Sequence, residues 1–336
     1  MTSAPRPRPD LPTVCMEPAR TTKITPPPAL LRTRVTDVAN VYVIGHFGIA
    51  RVDERNWSLR VAGMVRNPFE INLDQLRALP SVTLTAVLEC YGNPLEPDVP
   101  TRRVANLSWR GVPVRTLLDQ AEPDPKARFI CAEGLDAGEF DGTACREYLK
   151  DLPLDVVARR AIIAYEMNGE PLTHHHGYPA RLFTPGYFGT NHVKWLRKIT
   201  LTARRPKHLF TTRLYQRTQA GSRQRVPVRD VDVNSIITAP GVEAPVDEGD
   251  TLVTGWAWST TPIRRVEVTI DGDVFNATVQ RRAADDFSWQ GFSLHHHLAA
   301  GNHIISARAT DTDDRIQPFG EARNQVHSIE INVRAL

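Results

Sequence analysis

The stretch AVLECYGNPLEP, residues 86–97, carries an apolar run into a single cysteine and then into a Gly-Asn-Pro turn. Val82 to Leu88 is rich in β-branched and apolar residues, which predicts a buried strand. That strand delivers Cys90 to the mouth of the turn. An unpaired cysteine is most often a small buried hydrophobe. A thiol held at a strand end is also placed as a soft metal ligand requires. The stretch alone leaves both readings open.

Working outward, the first two thirds of the chain mix short elements. Trp57 to Val61 alternates like a strand, Leu73 to Leu79 reads as a short helix stopped by Pro80, and Val112 to Gln120 as a helix opened by Pro113. Arg128 to Cys131 and Ala161 to Glu166 read as strands. No regular βαβ repeat is present, and no Gly-rich dinucleotide fingerprint follows a strand, which disfavours a nicotinamide fold. After Arg229 helical periodicity disappears. Strand-like runs recur at Val233–Thr238, Thr251–Ser259, Arg264–Ile270, Val274–Gln280, Phe287–Leu294, His303–Ala309 and Ser328–Val333. Val266, Val268 and Ile270 alternate with Glu267 and Thr269, and Asp271-Gly272 supplies a tight hairpin turn. Short strands at this density predict an immunoglobulin-like sandwich without the Cys…Trp…Cys staple. The 336 residues are long for one core. The expected division is a proline-rich extended arm (1–30), a mixed domain (31–228) and a β-sandwich (229–336).

A net charge of +3 gives no argument for nucleic acid. Basic residues do cluster from Arg197 to Arg229, with no acid between them. This is a solvated face, or a positive field over a bound anion. The four cysteines form neither a C-x-x-C pair nor a disulfide framework. No membrane span, apolar leader or twin-arginine pair is visible, so a cytoplasmic location is the expectation.

Two further stretches concentrate donors. THHHGYPARLFTPGYFGTNHVKWLRKI, residues 173–200, carries His174, His175, His176, Arg181, His192 and Lys194. Adjacent histidines rarely reach one zinc ion. The stretch reads as an exposed polar loop or as a site for a multi-oxygen anion such as a phosphate. In NVYVIGHFGIA, residues 40–50, His46 follows a short apolar strand, a place where a satisfied core histidine is common.

Taken together, LECYGN around Cys90, CAEGLDAGEFDGTA (131–144), AYEMNGEPL (164–172), HGYPARLFTPGYFGTNHVKWL (176–196) and the opening of the sandwich, VNSIITAPG…VTGWAWS, resemble the sulfite oxidase family of molybdenum enzymes. The resemblance implies an α+β domain of the sulfite oxidase type that binds one molybdopterin, followed by an all-β immunoglobulin-like dimerisation domain, hence a homodimer. It implies Cys90 as the protein thiolate on molybdenum. Tyr42, Gly45, His46, Asp136, His176, Arg181, His192, Val193 and Lys194 fall on positions that hold the pterin and its phosphate. Tyr215, in RLYQR, falls near the family's active-site tyrosine, although its flanks match poorly.

The resemblance breaks at the substrate. Family members carry an arginine where this chain has Ile44, an asparagine at Gly45, and arginines where the turn continues Pro94-Leu95-Glu96. A hydrated dianion needs charge-assisted donors in exchange for water. The expectation is therefore a molybdenum oxidoreductase performing two-electron oxo transfer on a substrate larger or less charged than sulfite. Ile44, Tyr91, Leu95 and His175 would form its pocket, and a separate protein would exchange its electrons. A sulfite oxidase with relocated anion ligands, and a non-catalytic pterin-binding or interaction protein, are the alternatives.

Overall fold

The computed structural model describes residues 14–17, 25–93, 101–219, 221–242, 245–320 and 323–335. One mixed and one antiparallel sheet build the first domain. One runs in the order Leu149–Pro153, Phe129–Gly134, Leu196–Thr202, Ser58–Gly63, Phe69–Asn72. It is antiparallel except where Leu196–Thr202 lies parallel to Ser58–Gly63. The other places Glu170–Pro171, Ile162–Met167, Val104–Pro113 and Val82–Glu89 side by side, with Arg181–Phe183 joined to Ile162–Met167. Between them lies a core that includes Trp57, Trp195, Val112 and Phe210.

The expected strand before Cys90 is present, paired along its whole length from Val82↔Gly111 to Glu89↔Val104. The helix expected at Val112 begins later, at Val114, and runs to Ala121. Val112 and Pro113 belong to the preceding strand, where they pair with Ile163 and Ile162. Pro113 is the N-cap, a position at which its missing N–H removes no helical bond.

The second domain packs two sheets. One has the order Asn234–Ala239, Gly249–Trp258, Gln290–Leu298, Thr278–Val279. The other has the order Val246–Asp247, Ser328–Arg334, Gly301–Asp311, Ile263–Ile270, Asp273–Asn276. Ser328–Arg334 alternates strictly between exposed and buried, as a strand over a one-sided core must. Asp271 and Gly272 adopt φ +52° and +98°, which gives the twisted hairpin turn their sequence predicts. Two expected strands differ. Val274–Gln280 splits at Ala277, and the strand expected from Phe287 starts at Gln290. Phe287 has instead joined the first domain: it bridges Ala86, and its carbonyl accepts the Val87 N–H at 2.9 Å.

Within the N-terminal arm, Val14–Glu17 pairs antiparallel with Ile49–Val52. Pro26 accepts the Arg102 N–H at 2.9 Å. Just beyond the arm, the Leu31 carbonyl accepts the Trp256 indole N–H. Trp256, Trp258 and Trp289 meet Val87, Val104 and Phe188 in one apolar cluster shared by the two domains. Among the described residues, no helix is long and apolar enough to cross a membrane.

Candidate active site

A narrow cleft of about 80 Å³ opens where the strand Val82–Glu89 ends. Tyr42, Ile44, Gly45, His46, Cys90, Tyr91, Asp136, His175, His176, Arg181, His192, Lys194 and Tyr215 all line it. Five separate stretches of sequence therefore converge on one cavity. Val193 does not line the cleft; its side chain is wholly buried in the core, and its carbonyl accepts the Leu182 N–H. Leu95 lies outside the described residues.

Cys90 is fixed by its backbone, whose N–H donates to the Arg103 carbonyl at 2.9 Å. The Gly92 N–H donates to its sulfur at 3.4 Å. Burial pushes the thiol pKa up, against the pull of that N–H and of Arg103. Gly45 has no space for a side chain, since a Cβ there would sit 2.3 Å from the Gly48 carbonyl oxygen.

The opposite wall holds buried polar atoms that no protein group satisfies. His192 Nε2 donates to the Thr184 carbonyl at 3.0 Å, which leaves Nδ1 of the neutral ring as a bare acceptor. His176 Nδ1 bonds the Thr173 hydroxyl at 2.7 Å, while its Nε2 has no partner. Arg181 donates through one nitrogen to the His176 carbonyl at 2.9 Å and leaves Nε unused. Its guanidinium lies over the Trp109 ring at 5.2 Å. Asp136 Oδ1 is likewise unpaired. Burial, helped by the Arg181 charge, holds His176 and His192 down to about 3. Burial also lowers Arg181 to about 10. Lys194 is lowered and Asp136 raised by burial, and each opposes the other's shift through its charge. Orphaned polar atoms at this density are costly in a native interior unless something else binds them.

His46 is partly the satisfied histidine its sequence context predicts. Its Nε2 bonds the Tyr215 hydroxyl, and its ring stacks on Tyr148 at 5.1 Å and meets the edges of Phe140 and Phe210 at 4.9 Å each. Tyr215 holds this pose from a left-handed backbone, φ +54°, which is uncommon for a tyrosine and typical of constrained sites. Sequence reasoning missed Tyr148, whose hydroxyl donates to the Thr190 carbonyl at 2.7 Å. It also missed Lys150, which donates to the Phe210 carbonyl at 2.8 Å and lies 5.1 Å from the Tyr215 ring centroid. Neither sits in a recognisable motif.

The basic stretch 197–229 does not form a field over this cleft. Arg197 and Lys198 pair with Glu133, Arg205 and Arg229 with Asp151, and Arg217 with Asp232. Acids distant in sequence neutralise half of it.

Residues 46–210 match the family model of the oxidoreductase molybdopterin binding domain, and residues 225–333 that of the Mo-co oxidoreductase dimerisation domain. Mitochondrial sulfite oxidase of Homo sapiens is 27% identical over 327 residues, covering 87% of this chain and 59% of its own length. NADH nitrate reductase of Solanum lycopersicum is 29% identical over 278 residues, covering 71% of this chain and 30% of its own. The chain thus spans a little over half of the sulfite oxidase and under a third of the nitrate reductase. The crystal structure of the sulfane dehydrogenase SoxCD from Paracoccus pantotrophus aligns with a TM-score of 0.82 at 25% identity, over 92% of this chain and 86% of that one.

Proposed function

The chain belongs to the sulfite oxidase family of molybdopterin oxidoreductases, and from that premise we propose that it is a molybdenum enzyme carrying out two-electron oxo transfer on a substrate larger or less charged than sulfite. The observation that carries the cofactor part is the convergence of Cys90 with the unpaired atoms of His176, Arg181, His192 and Asp136 in one cleft. These donors fit the group. No three His, Cys, Asp or Glu side chains among the described residues could hold a metal by themselves. A soft thiol beside hydrogen-bonding groups suits a metal whose other sulfurs come from a pterin.

When bound, the molybdenum–pterin group supplies the two-electron couple and the site of oxygen exchange. Cys90 would hold the metal through its sulfur and would lose its thiol proton in doing so, so loading would be favoured as pH rises. Arg181 and Lys194 would supply positive charge for the pterin phosphate. His176 Nε2, if protonated at that atom, would be available to donate to the pterin, and His192 Nδ1 to accept from it. Tyr215 presents its phenol at the cleft, and His46 keeps that phenol in one orientation.

The substrate reading rests on the cations. Lys194 Nζ is engaged by the carbonyls of Ile44 and His175 at 2.9 and 3.0 Å and Arg181 by the carbonyl of His176, and the capacity the two cations retain is the capacity assigned above to the pterin phosphate rather than to a substrate. The rest of the wall includes Ile44, Leu88, Tyr91, Tyr148 and Tyr215 together with His46, His175 and Thr190, and Arg103 acts on the Cys90 sulfur beside it. Such a wall offers little to a small dianion and more to a partly apolar oxygen donor or acceptor. A separate redox protein as electron partner, and a homodimer formed through the second domain, complete the proposal.

The test is anaerobic mixing of molybdenum-loaded protein with excess sulfite, followed by visible absorption, beside a Cys90→Ser variant. The proposal expects slow or absent bleaching by sulfite, and no turnover of any substrate in the variant with an unchanged unfolding midpoint. Rapid bleaching at low sulfite would favour the reading as a sulfite oxidase. Full turnover in the variant would overturn the assignment of Cys90.

A further inference from the structure

Glu89 stands immediately before Cys90 and is completely buried. Successive residues of a strand face opposite sides, so Cys90 faces the cleft while Glu89 points away from it. What it meets there belongs mostly to the other domain. Its Oε1 accepts from Asn234 Nδ2 at 3.1 Å and its Oε2 from Trp258 Nε1 at 2.8 Å. The remaining hydrogen bond comes from Asn93 in the Cys90 turn, at 3.2 Å. Asn93 in turn accepts the Arg103 N–H, which closes the turn onto the neighbouring strand. Arg323, also from the second domain, comes within 4.0 Å of Glu89 and is itself held by Asp232 at 2.6 Å. Its guanidinium lies 4.8 Å from the ring of Tyr91 and 4.6 Å from that of Phe188.

A buried carboxylate is a poor way to glue two domains together. An apolar side chain of similar size would serve the interface at lower desolvation cost, and such groups are best accounted for when they fix a register or geometry. The register fixed here is that of the two residues that face the cleft. We propose that the second domain is a working part of the site: Trp258, Asn234 and Arg323, acting through Glu89 and Tyr91, are positioning residues for the Cys90 sulfur. The functional weight of this proposal rests on Cys90 being the metal ligand; the positioning itself does not.

The experiment uses Glu89→Gln, Trp258→Phe and the double variant of the full chain. Glu89→Gln keeps the shape but turns one acceptor into a donor facing donors, and Trp258→Phe removes one donor while keeping an aromatic ring. In cofactor-free protein, alkylation of Cys90 by iodoacetamide is timed by peptide mass spectrometry, with buried Cys131 as internal control. Each single variant should raise the Cys90 rate on the order of tenfold and leave Cys131 unchanged. Because the two residues act through one bond, the double variant should be no faster than the faster single. In loaded protein, Trp258→Phe should shift the electron paramagnetic resonance spectrum of the metal. Equal acceleration at Cys90 and Cys131 would mean general loosening and would overturn the proposal, as would unchanged Cys90 rates or additive effects. If Cys90→Ser left the resonance spectrum unaltered, the metal-ligand reading would fail on its own, whatever the alkylation rates.

Discussion

Replacing Arg181 by Met should move stability and cofactor binding in opposite directions. Arg181 is 3% exposed, and burial lowers its guanidinium from 12.5 to about 10. That fall corresponds to about 3 kcal/mol by which folding disfavours the charge. Met fills similar volume without the charge. It forgoes the hydrogen bond to the His176 carbonyl, worth about 1.5 kcal/mol for an ionised donor, and about 1 kcal/mol of stacking on Trp109. The cofactor-free variant should therefore be as stable as the parent, or more stable by up to about 1 kcal/mol. Truncating a buried group at a purely structural site would usually destabilise. The loaded state should lose at least one charge-assisted bond to the pterin phosphate, about 1.5–3 kcal/mol, or roughly ten- to 150-fold in retention. The assay pairs urea unfolding of cofactor-free protein with molybdenum and pterin content after dialysis. Loss of more than about 2 kcal/mol in the free protein, together with full cofactor content, would show that the charge serves the fold and would refute the reasoning.

Other outcomes follow from the same geometry. His192 is neutral in the folded protein down to about 3, whereas in the unfolded chain it ionises near 6.5, so its stabilising contribution is present above 6.5 and lost as pH falls. Between pH 7 and 5 it should withdraw about 2 kcal/mol, as His46 and His176 should, against about 4 kcal/mol returned together by Glu89 and Asp136, which burial raises to about 7 and which bind protons in the folded state. A His192→Gln variant should lose about 2 kcal/mol less than the parent over that interval in urea titrations; equal losses would mean that His192 ionises while folded. Gly134→Ala should impair cofactor loading, because its Cβ would lie 2.4 Å from Asp136 Oδ1 and 2.9 Å from the Lys194 carbonyl; normal metal content would show that Asp136 is not needed in place. Asp151→Asn should cost about 3–5 kcal/mol in thermal or urea unfolding, since it leaves Arg205 and Arg229 facing each other without their shared carboxylate; a loss under about 1 kcal/mol would mark the pair as solvent-screened.

Much of this protein is legible in its residues alone. The β-branched run before Cys90, the alternation from Val266 to Ile270 and the Asp271-Gly272 turn are local facts, because side-chain periodicity and left-handed turn residues act within a few positions of each other. The ordered donor motifs are enough to assign the family without any knowledge of contacts. Where local signals compete with pairing, the sequence misleads. Pro113 reads as a helix opener and is one, yet Val112 beside it is claimed by a strand about 50 residues away. Phe287 leaves its own sheet for the edge of another domain.

The tertiary structure alone decides which charges are spent. Ten basic residues between 197 and 229 read as a solvated face or a positive field, and which of them are spent is decided only when Glu133, Asp151 and Asp232 come to meet half of them. Lys194 reads as a free cation until it is bonded to two carbonyls, and His46 as a lone ring until Tyr215 reaches it across 169 residues. Nothing in LECYGN announces that Glu89 looks into another domain. A residue's type sets what it can donate or accept, and the sequence determines that much. Whether the capacity is already used, or left open for a ligand, depends on partners brought within hydrogen-bonding distance by the fold, and only the packed chain decides it.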